Sequence, residues 1–273
     1  MKIMIRIWNI TARRNSELDL NDSSSLDAVT RQLPDGYYST FRTYDGRRRV
    51  LGLNAHLRRL YDPVTSPDVS ASFLRRQLNL LLEHFARDEA RVRLIMTKQG
   101  QVNMIAEPLK PLSAEVYENG VLVETTEIHR DSPRLKSTAF IGASDSERKH
   151  IAQEGIFEAL LVKNETILEG MTSNFFYVLQ DRLYTAQRGI LLGVTRRTVL
   201  YLARGRGVEV KYQPLKRDQL SEVNEAFITS SSRGVVPVTQ IDEATVGQGR
   251  PGQITRMLMR AYDEYVLRHA EEI

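Results

Sequence analysis

Cysteine is absent from the 273-residue chain. That excludes disulfides, thiolate nucleophiles and any cysteine-ligated metal site. Only five histidines are present, widely scattered, and no metal centre is expected. Long apolar runs are also lacking, and none approaches the roughly 20 residues that a membrane-spanning helix needs. The opening MKIMIRIWNI alternates apolar and basic residues too early for the apolar core of a signal peptide, so it reads as a first strand. With neither signal nor disulfide, the expected compartment is the cytoplasm. Internal repeats and low-complexity segments are missing as well. Aromatics are sparse, and none interleave with Arg47-Arg48-Arg49 or Arg58-Arg59. A net charge of +4 without such interleaving points to anionic small molecules rather than to nucleic acid.

What is present is ordinary soluble globular composition, 41% hydrophobic and 26% charged. At this length two domains are the default. The proline-bearing PLKPLSAE is the natural boundary, dividing the chain into 1–112 and 113–273. A helix is expected in SSLDAVTRQL, then a hairpin around Asp45-Gly46 in YYSTFRTYDGRRRVLGL. NAHLRRLYD reads as a short helix. A clearer helix spans 66–88, with Ser70 or Ser72 as cap and Phe73, Leu74, Leu78, Leu81, Leu82 and Phe85 at helical spacing. Two strands follow around Gln99-Gly100. The second half reads as strand VLVETTEI, an amphipathic stretch over 145–155, the hairpin ALLVKNETILEG, strands LYTA and AFIT, and a terminal amphipathic helix.

Lys136, in SPRLKSTAF, and Glu169, in ETILEGMTSNFF, are the candidates for chemistry. A lysine among apolar neighbours is pushed toward its neutral, nucleophilic form, which Schiff-base chemistry requires. The alternative is structural: Lys136 snorkels from a strand edge and Glu169 caps a turn. Those two segments alone favour the structural reading.

Combined with HLRRL (56–60), LLGVTRRTVL (191–200) and EAFITSSSRGVVPV (225–238), they resemble the class IV aminotransferases, the fold-type IV pyridoxal-phosphate enzymes. That family includes branched-chain and D-amino-acid aminotransferases and aminodeoxychorismate lyase. The resemblance runs from about residue 36 to 255 in the family's order. It implies a two-domain α/β (α+β) fold, a small N-terminal α/β domain and a larger C-terminal domain with a mostly β core. The cofactor lies between the two domains, and the assembly is usually a homodimer.

The resemblance makes Lys136 the Schiff-base lysine and the acid–base that moves the substrate Cα proton. Glu169, 33 residues later, becomes the partner of the cofactor's ring nitrogen. The pattern His-x-x-Arg-Leu makes Arg59 a phosphate ligand, a task suited to a planar guanidinium; a solvated helix face is the alternative for the same residues. Leu191 packs on the ring, the amides of Val194 and Thr195 meet the phosphate at a helix start, and Ser231 replaces a phosphate-binding threonine. Thr40, Arg93 and Ser232 fall at substrate-side positions, and Arg91, on the same strand face, competes with Arg93. Ser173 and Asn174 match a turn of structural role. The loop before Leu191 is shorter than usual and lacks its proline, and Phe140 and Ile141 stand where relatives often carry asparagine or tyrosine.

Two motifs are rejected. Gly247, Gly249 and Gly252 satisfy G-x-G-x-x-G, but only a helical tail follows, with no strand–loop–helix–strand unit. Ser146 and Lys149 satisfy S-x-x-K in a segment too charged for a buried nucleophile. The expected function is amino-group transfer between an amino acid and a 2-oxo acid. A pyridoxal-phosphate lyase resembling aminodeoxychorismate lyase is the alternative, and a non-catalytic relative keeping the fold is the third reading.

Overall fold

The computed structural model describes residues 5–83, 85 and 89–273. The start of the expected first strand (1–4) and four positions at the end of the expected 66–88 helix (84, 86–88) lie outside the described residues. In chain order, the first elements are β1 Arg6–Ile10, β2 Asn15–Glu17, α1 Leu26–Arg31, β3 Gly36–Arg42, β4 Arg49–Val50, α2 Leu53–Tyr61, α3 Ala71–Glu83, β5 Ala90–Thr97 and β6 Val102–Pro108. Next come α4 Ala114–Asn119, β7 Val121–Thr126, α5 Ala139–Ala143, α6 Asp145–Gln153, β8 Glu158–Lys163, β9 Thr166–Gly170, β10 Asn174–Leu179 and β11 Arg182–Thr185. The last are α7 Val194–Gly205, β12 Val210–Lys211, β13 Leu215–Lys216, β14 Glu225–Ser230, β15 Gly234–Ile241, β16 Ala244–Thr245, α8 Gln253–His269 and β17 Glu271–Glu272.

The chain divides into two compact units. One comprises Met1–Lys110, Leu135–Ala143 and Arg268–Ile273; the other comprises Pro111–Arg134 and Ser144–Leu267. Lys136 therefore belongs with the first unit.

The first unit is built on an antiparallel sheet in the order β2-β1-β6-β5-β3. Alternation along each strand sorts its side chains onto two faces. Trp8, Ile10, Phe41, Val92, Leu94, Met96 and Met104 pack against α2 and the Leu74, Leu78 and Leu82 stripe of α3. The other face puts Ile7, Tyr38, Ile95 and Ile105 against Leu26 and Val29 of α1 and Ile141 of α5. Side-chain hydroxyls cap the helices: Ser25 accepts from the Ala28 amide at 3.1 Å, and Ser70 from the Phe73 amide at 3.2 Å.

The turn at Asp45-Gly46 forms, with positive φ at Asp45 and Gly46. It closes only the Tyr44–Arg49 bridge rather than a hairpin of full strands. The reason is that β3 makes a longer ladder with β5, in register from Gly36 opposite Thr97 to Arg42 opposite Arg91. The segment after Leu135 joins the start of β3. There the Tyr38 amide donates to the Lys136 carbonyl at 2.8 Å, and the Thr138 amide to the Gly36 carbonyl at 2.9 Å.

The second unit is mostly β, as expected. Its sheet runs β12-β11-β10-β14-β15-β7-β8-β9-β13, with β16 beside β15. Because Asn174 of β10 also pairs with Glu169 of β9, the strands β10, β14, β15, β7, β8 and β9 close into a ring. The hairpin expected in ALLVKNETILEG is β8–β9, turning through Asn164 and Glu165, both at positive φ. One face of the ring gathers Val123, Leu160, Ile167, Phe175, Tyr177, Ile228 and Val236. On the opposite face, Phe176 of β10 stacks on Phe227 of β14, with ring centroids 4.8 Å apart.

Candidate active site

Each unit contributes its own group of candidate residues. In the first, Lys136 is half-buried and its ammonium sits over the Tyr38 ring, 4.7 Å from the centroid. The backbone bridge to β3 fixes the residue, and the ring gives its amine an apolar, electron-rich floor. Arg93 lies over the same ring at 4.8 Å. Its guanidinium is buried and heavily engaged: Nε donates to Thr40 at 3.1 Å, Nη1 to the Leu26 carbonyl at 3.1 Å and Thr30 at 2.8 Å, and Nη1 pairs with Asp27 at 2.7 Å. Arg91 points to the same sheet face but pairs with Glu107 at 3.0 Å. Thr40, Arg93, Tyr38 and Lys136 are thus brought together on one face of one sheet.

On α2, Arg59 is half-buried while Arg58 is exposed. His56, fully buried, explains that orientation. Its Nδ1 lies 2.8 Å from the buried Ser39 hydroxyl and its ring packs against Phe41. The histidine of the motif therefore anchors the helix to β3, and the arginine three positions on inherits its direction.

In the second unit Glu169 is 2% exposed, and its carboxylate is held from three sides. Arg130 Nε donates at 3.1 Å to one oxygen; the Asn174 amide group at 3.2 Å and the Leu191 backbone amide at 3.0 Å donate to the other. Asn174 also donates to the Leu191 carbonyl at 2.7 Å, so a single side chain ties the acid to the stretch entering α7. Arg130 was not singled out from the sequence. Two arginines, Arg130 and Arg134, shortly precede Lys136, and only the fold shows which of them meets Glu169.

Two residues beyond Leu191, Gly193 opens α7 with no side-chain cap. The first amides of that helix, including those of Val194 and Thr195, have no intrahelical partner by construction and favour an anion. The Thr195 hydroxyl lies 3.5 Å from that of Ser231, at the start of the turn joining β14 to β15, and 3.5 Å from that of Tyr262 on α8. Ser232 is half-buried in the same turn. Glu169, Leu191, Val194, Thr195, Ser231 and Ser232 are therefore all in one unit, and Tyr262 joins them unforeseen. One turn into α7, Arg196 is buried, and burial holds its guanidinium below the usual arginine range.

Other features settle as structure. Ser173 and Thr172 donate to the buried Glu158 carboxylate, which Arg233 also meets at 3.0 Å. The Gly247–Gly252 stretch leads into α8, but Glu225 already accepts from the Ile254 and Thr255 amides at 3.1 and 2.7 Å. That helix start is filled from within and holds no phosphate. Ser146 of the S-x-x-K match is exposed. Among the described residues no cluster of metal-ligating side chains occurs, and no helix is long and apolar enough to cross a membrane.

Residues 36–241 match the family model of amino-transferase class IV. The chain belongs to the class IV aminotransferase family, whose members are in general pyridoxal-phosphate enzymes. A D-alanine aminotransferase of Bacillus licheniformis is 30% identical over 262 residues, covering 86% of this chain and 89% of its own. A probable branched-chain-amino-acid aminotransferase of Thermotoga maritima is 28% identical, covering 97% of each. Among solved structures, a putative branched-chain amino acid aminotransferase from Thermotoga maritima superposes with a TM-score of 0.78 at 27% identity, covering 96% of both chains.

Proposed function

We propose that this protein is a pyridoxal 5′-phosphate-dependent aminotransferase that moves an amino group from an amino acid to a 2-oxo acid. The observation that carries the reading is the join at Leu191 in the second unit. Its amide donates to the buried Glu169 carboxylate, and two residues later the uncapped α7 begins. An acid and an anion-attracting helix start in so short a span suit a group with a cationic ring nitrogen and a phosphate.

When bound, the cofactor supplies an aldehyde for an amine to condense with and a ring that draws electrons from the substrate Cα. Lys136 would supply that amine; once the substrate's own amine has taken its place on the aldehyde carbon, the freed Nζ would carry the proton to and from Cα as general base and acid. Glu169 keeps a proton on the ring nitrogen, held in that role by Arg130 and Asn174. Arg59, the Val194 and Thr195 amides, the Thr195 hydroxyl and Ser231 bind the phosphate, while Leu191 packs on the ring. Thr40 and Ser232 face the substrate. Arg93 contributes through Thr40, because its own charge is matched by Asp27. The protein is taken to act as a cytoplasmic homodimer on small amino and 2-oxo acids.

The test is cofactor attachment followed by donor screening. Added pyridoxal phosphate should give a yellow protein, and borohydride should fix the cofactor on the Lys136 peptide; Lys136→Ala should show no attachment. L- and D-amino acids with pyruvate or 2-oxoglutarate should then yield the new amino acid. A protein that takes up no cofactor sinks the proposal. Cofactor uptake with no transfer to any keto acid would instead favour the lyase chemistry.

A further inference from the structure

The buried hydroxyl of Tyr262 has no part in the roles assigned so far. Tyr262 and Thr195 are each 2% exposed, and their hydroxyl oxygens are 3.5 Å apart. Thr195 stands equally far from Ser231. Contacts of 3.5 Å are at the outer limit for hydroxyl hydrogen bonds, well beyond the usual 2.7–2.8 Å or so. Three hydroxyls are thus grouped at the start of α7 without closing tightly on one another. The Tyr262 ring is also seated directly under the turn that carries Ser231. Gly234 of that turn has φ +70°, and a Cβ there would come within 3.1 Å of the ring. The turn, the helix start and the phenol are therefore packed as one assembly.

A threonine hydroxyl has one proton to give and can accept in return. If the Thr195 proton points to Ser231, or merely rotates, it is not available to an anion at the helix start. A phenol is a stronger acid than an aliphatic alcohol, so in the Tyr262–Thr195 contact the phenol is the better donor. We propose that Tyr262 is a positioning residue of the phosphate-binding end: its hydroxyl donates to Thr195 Oγ1, so that Thr195 does not spend its own proton on the phenol and turns it to the bound phosphate. The proposal rests on the pyridoxal-phosphate reading above and adds to it a residue from the C-terminal helix.

The experiment compares pyridoxal 5′-phosphate with pyridoxal, which lacks the phosphate, by equilibrium dissociation constants on the full-length protein. It uses Tyr262→Phe, Thr195→Ala, the double variant, and Tyr265→Phe as a control on the same helix. Tyr262→Phe keeps the ring and its packing under Gly234. It should weaken binding of the phosphorylated form by about three- to tenfold, the scale of one lost hydrogen bond between neutral groups, and leave pyridoxal unchanged. In the Thr195→Ala background the same change should have no further effect, and Tyr265→Phe should have none. Equal losses for both ligands, additive effects in the double variant, or wild-type affinity in Tyr262→Phe would each overturn the role of Tyr262. Failure of the wild-type protein itself to prefer the phosphorylated form would overturn the underlying cofactor reading as well, so the two failures are told apart.

Discussion

Arg130 Nε lies 3.1 Å from the Glu169 carboxylate, and the two side chains are 5% and 2% exposed. A pair so enclosed is neither a surface ion pair nor an incidental contact, because each charge would be costly to bury without the other. Arg130 also donates to the Met171 carbonyl, which locks its guanidinium beside the acid. Removing the arginine while leaving the acid should therefore cost much more than removing both charges. Arg130→Met is expected to destabilise the protein by about 3–5 kcal/mol, and Glu169→Gln in the same chain to recover most of that loss. Urea denaturation of the two single variants and the double variant measures it. Additive single effects would show that the pair is not energetically coupled.

Gly193 is required for space rather than for backbone freedom. Its φ is an ordinary −64°, but a Cβ there would meet the Asn174 side-chain oxygen at 2.1 Å. Asn174 is the side chain that holds both Glu169 and the Leu191 carbonyl. Gly193→Ala should displace it and cost about 1–3 kcal/mol, the usual range for overpacking a closed site. Cofactor affinity should fall with it. The cause is checked by repeating the substitution on Asn174→Ala, where the obstructing oxygen is gone and the added cost in thermal unfolding should largely vanish.

The family was legible in the sequence, since several short motifs stand in its order along residues 36–241. Strand alternation likewise sorted the faces of β3 and β5. It could not choose between Arg91 and Arg93, because a period of two puts both on the same face. What each arginine meets is set by non-local partners: Glu107 pairs with the first, while Asp27 and Thr30 hold the second. Arg130 and Tyr262 were missed for the same reason. One is one of two arginines shortly before Lys136, and the other looks like core in an amphipathic helix. Their partners lie 39 and 67 positions away, where sequence periodicity carries no information.

Arg59 and Arg58 are adjacent in sequence and opposite in setting. The first is half-buried on the side of α2 that His56 anchors, and the second is exposed. If Arg59 grips the cofactor phosphate, Arg59→Ala should weaken cofactor affinity by about 2–4 kcal/mol, as truncating one member of a hydrogen-bonded charge pair does. Arg58→Ala should leave it nearly unchanged. Titration of each apoprotein with pyridoxal phosphate decides. An equal loss in both would mean that only the general positive field of the helix matters.

The start of α8 offers a contrast to that of α7, and a prediction about stability alone. Glu225 reaches from the first residue of β14 to accept from the Ile254 and Thr255 amides, so the acid is both a cap and a charge at the favourable end of the helix dipole. A Cβ at Gly252 would lie 2.0 Å from the carboxylate carbon, which explains why glycine stands there. Glu225→Ala should lower stability by about 0.5–2 kcal/mol, the range for losing a cap. Cofactor affinity should stay within error, because this helix start serves the fold and not the ligand. Thermal unfolding and cofactor titration of the same variant separate the two. A selective loss of cofactor binding without loss of stability would assign the anion site to the wrong helix.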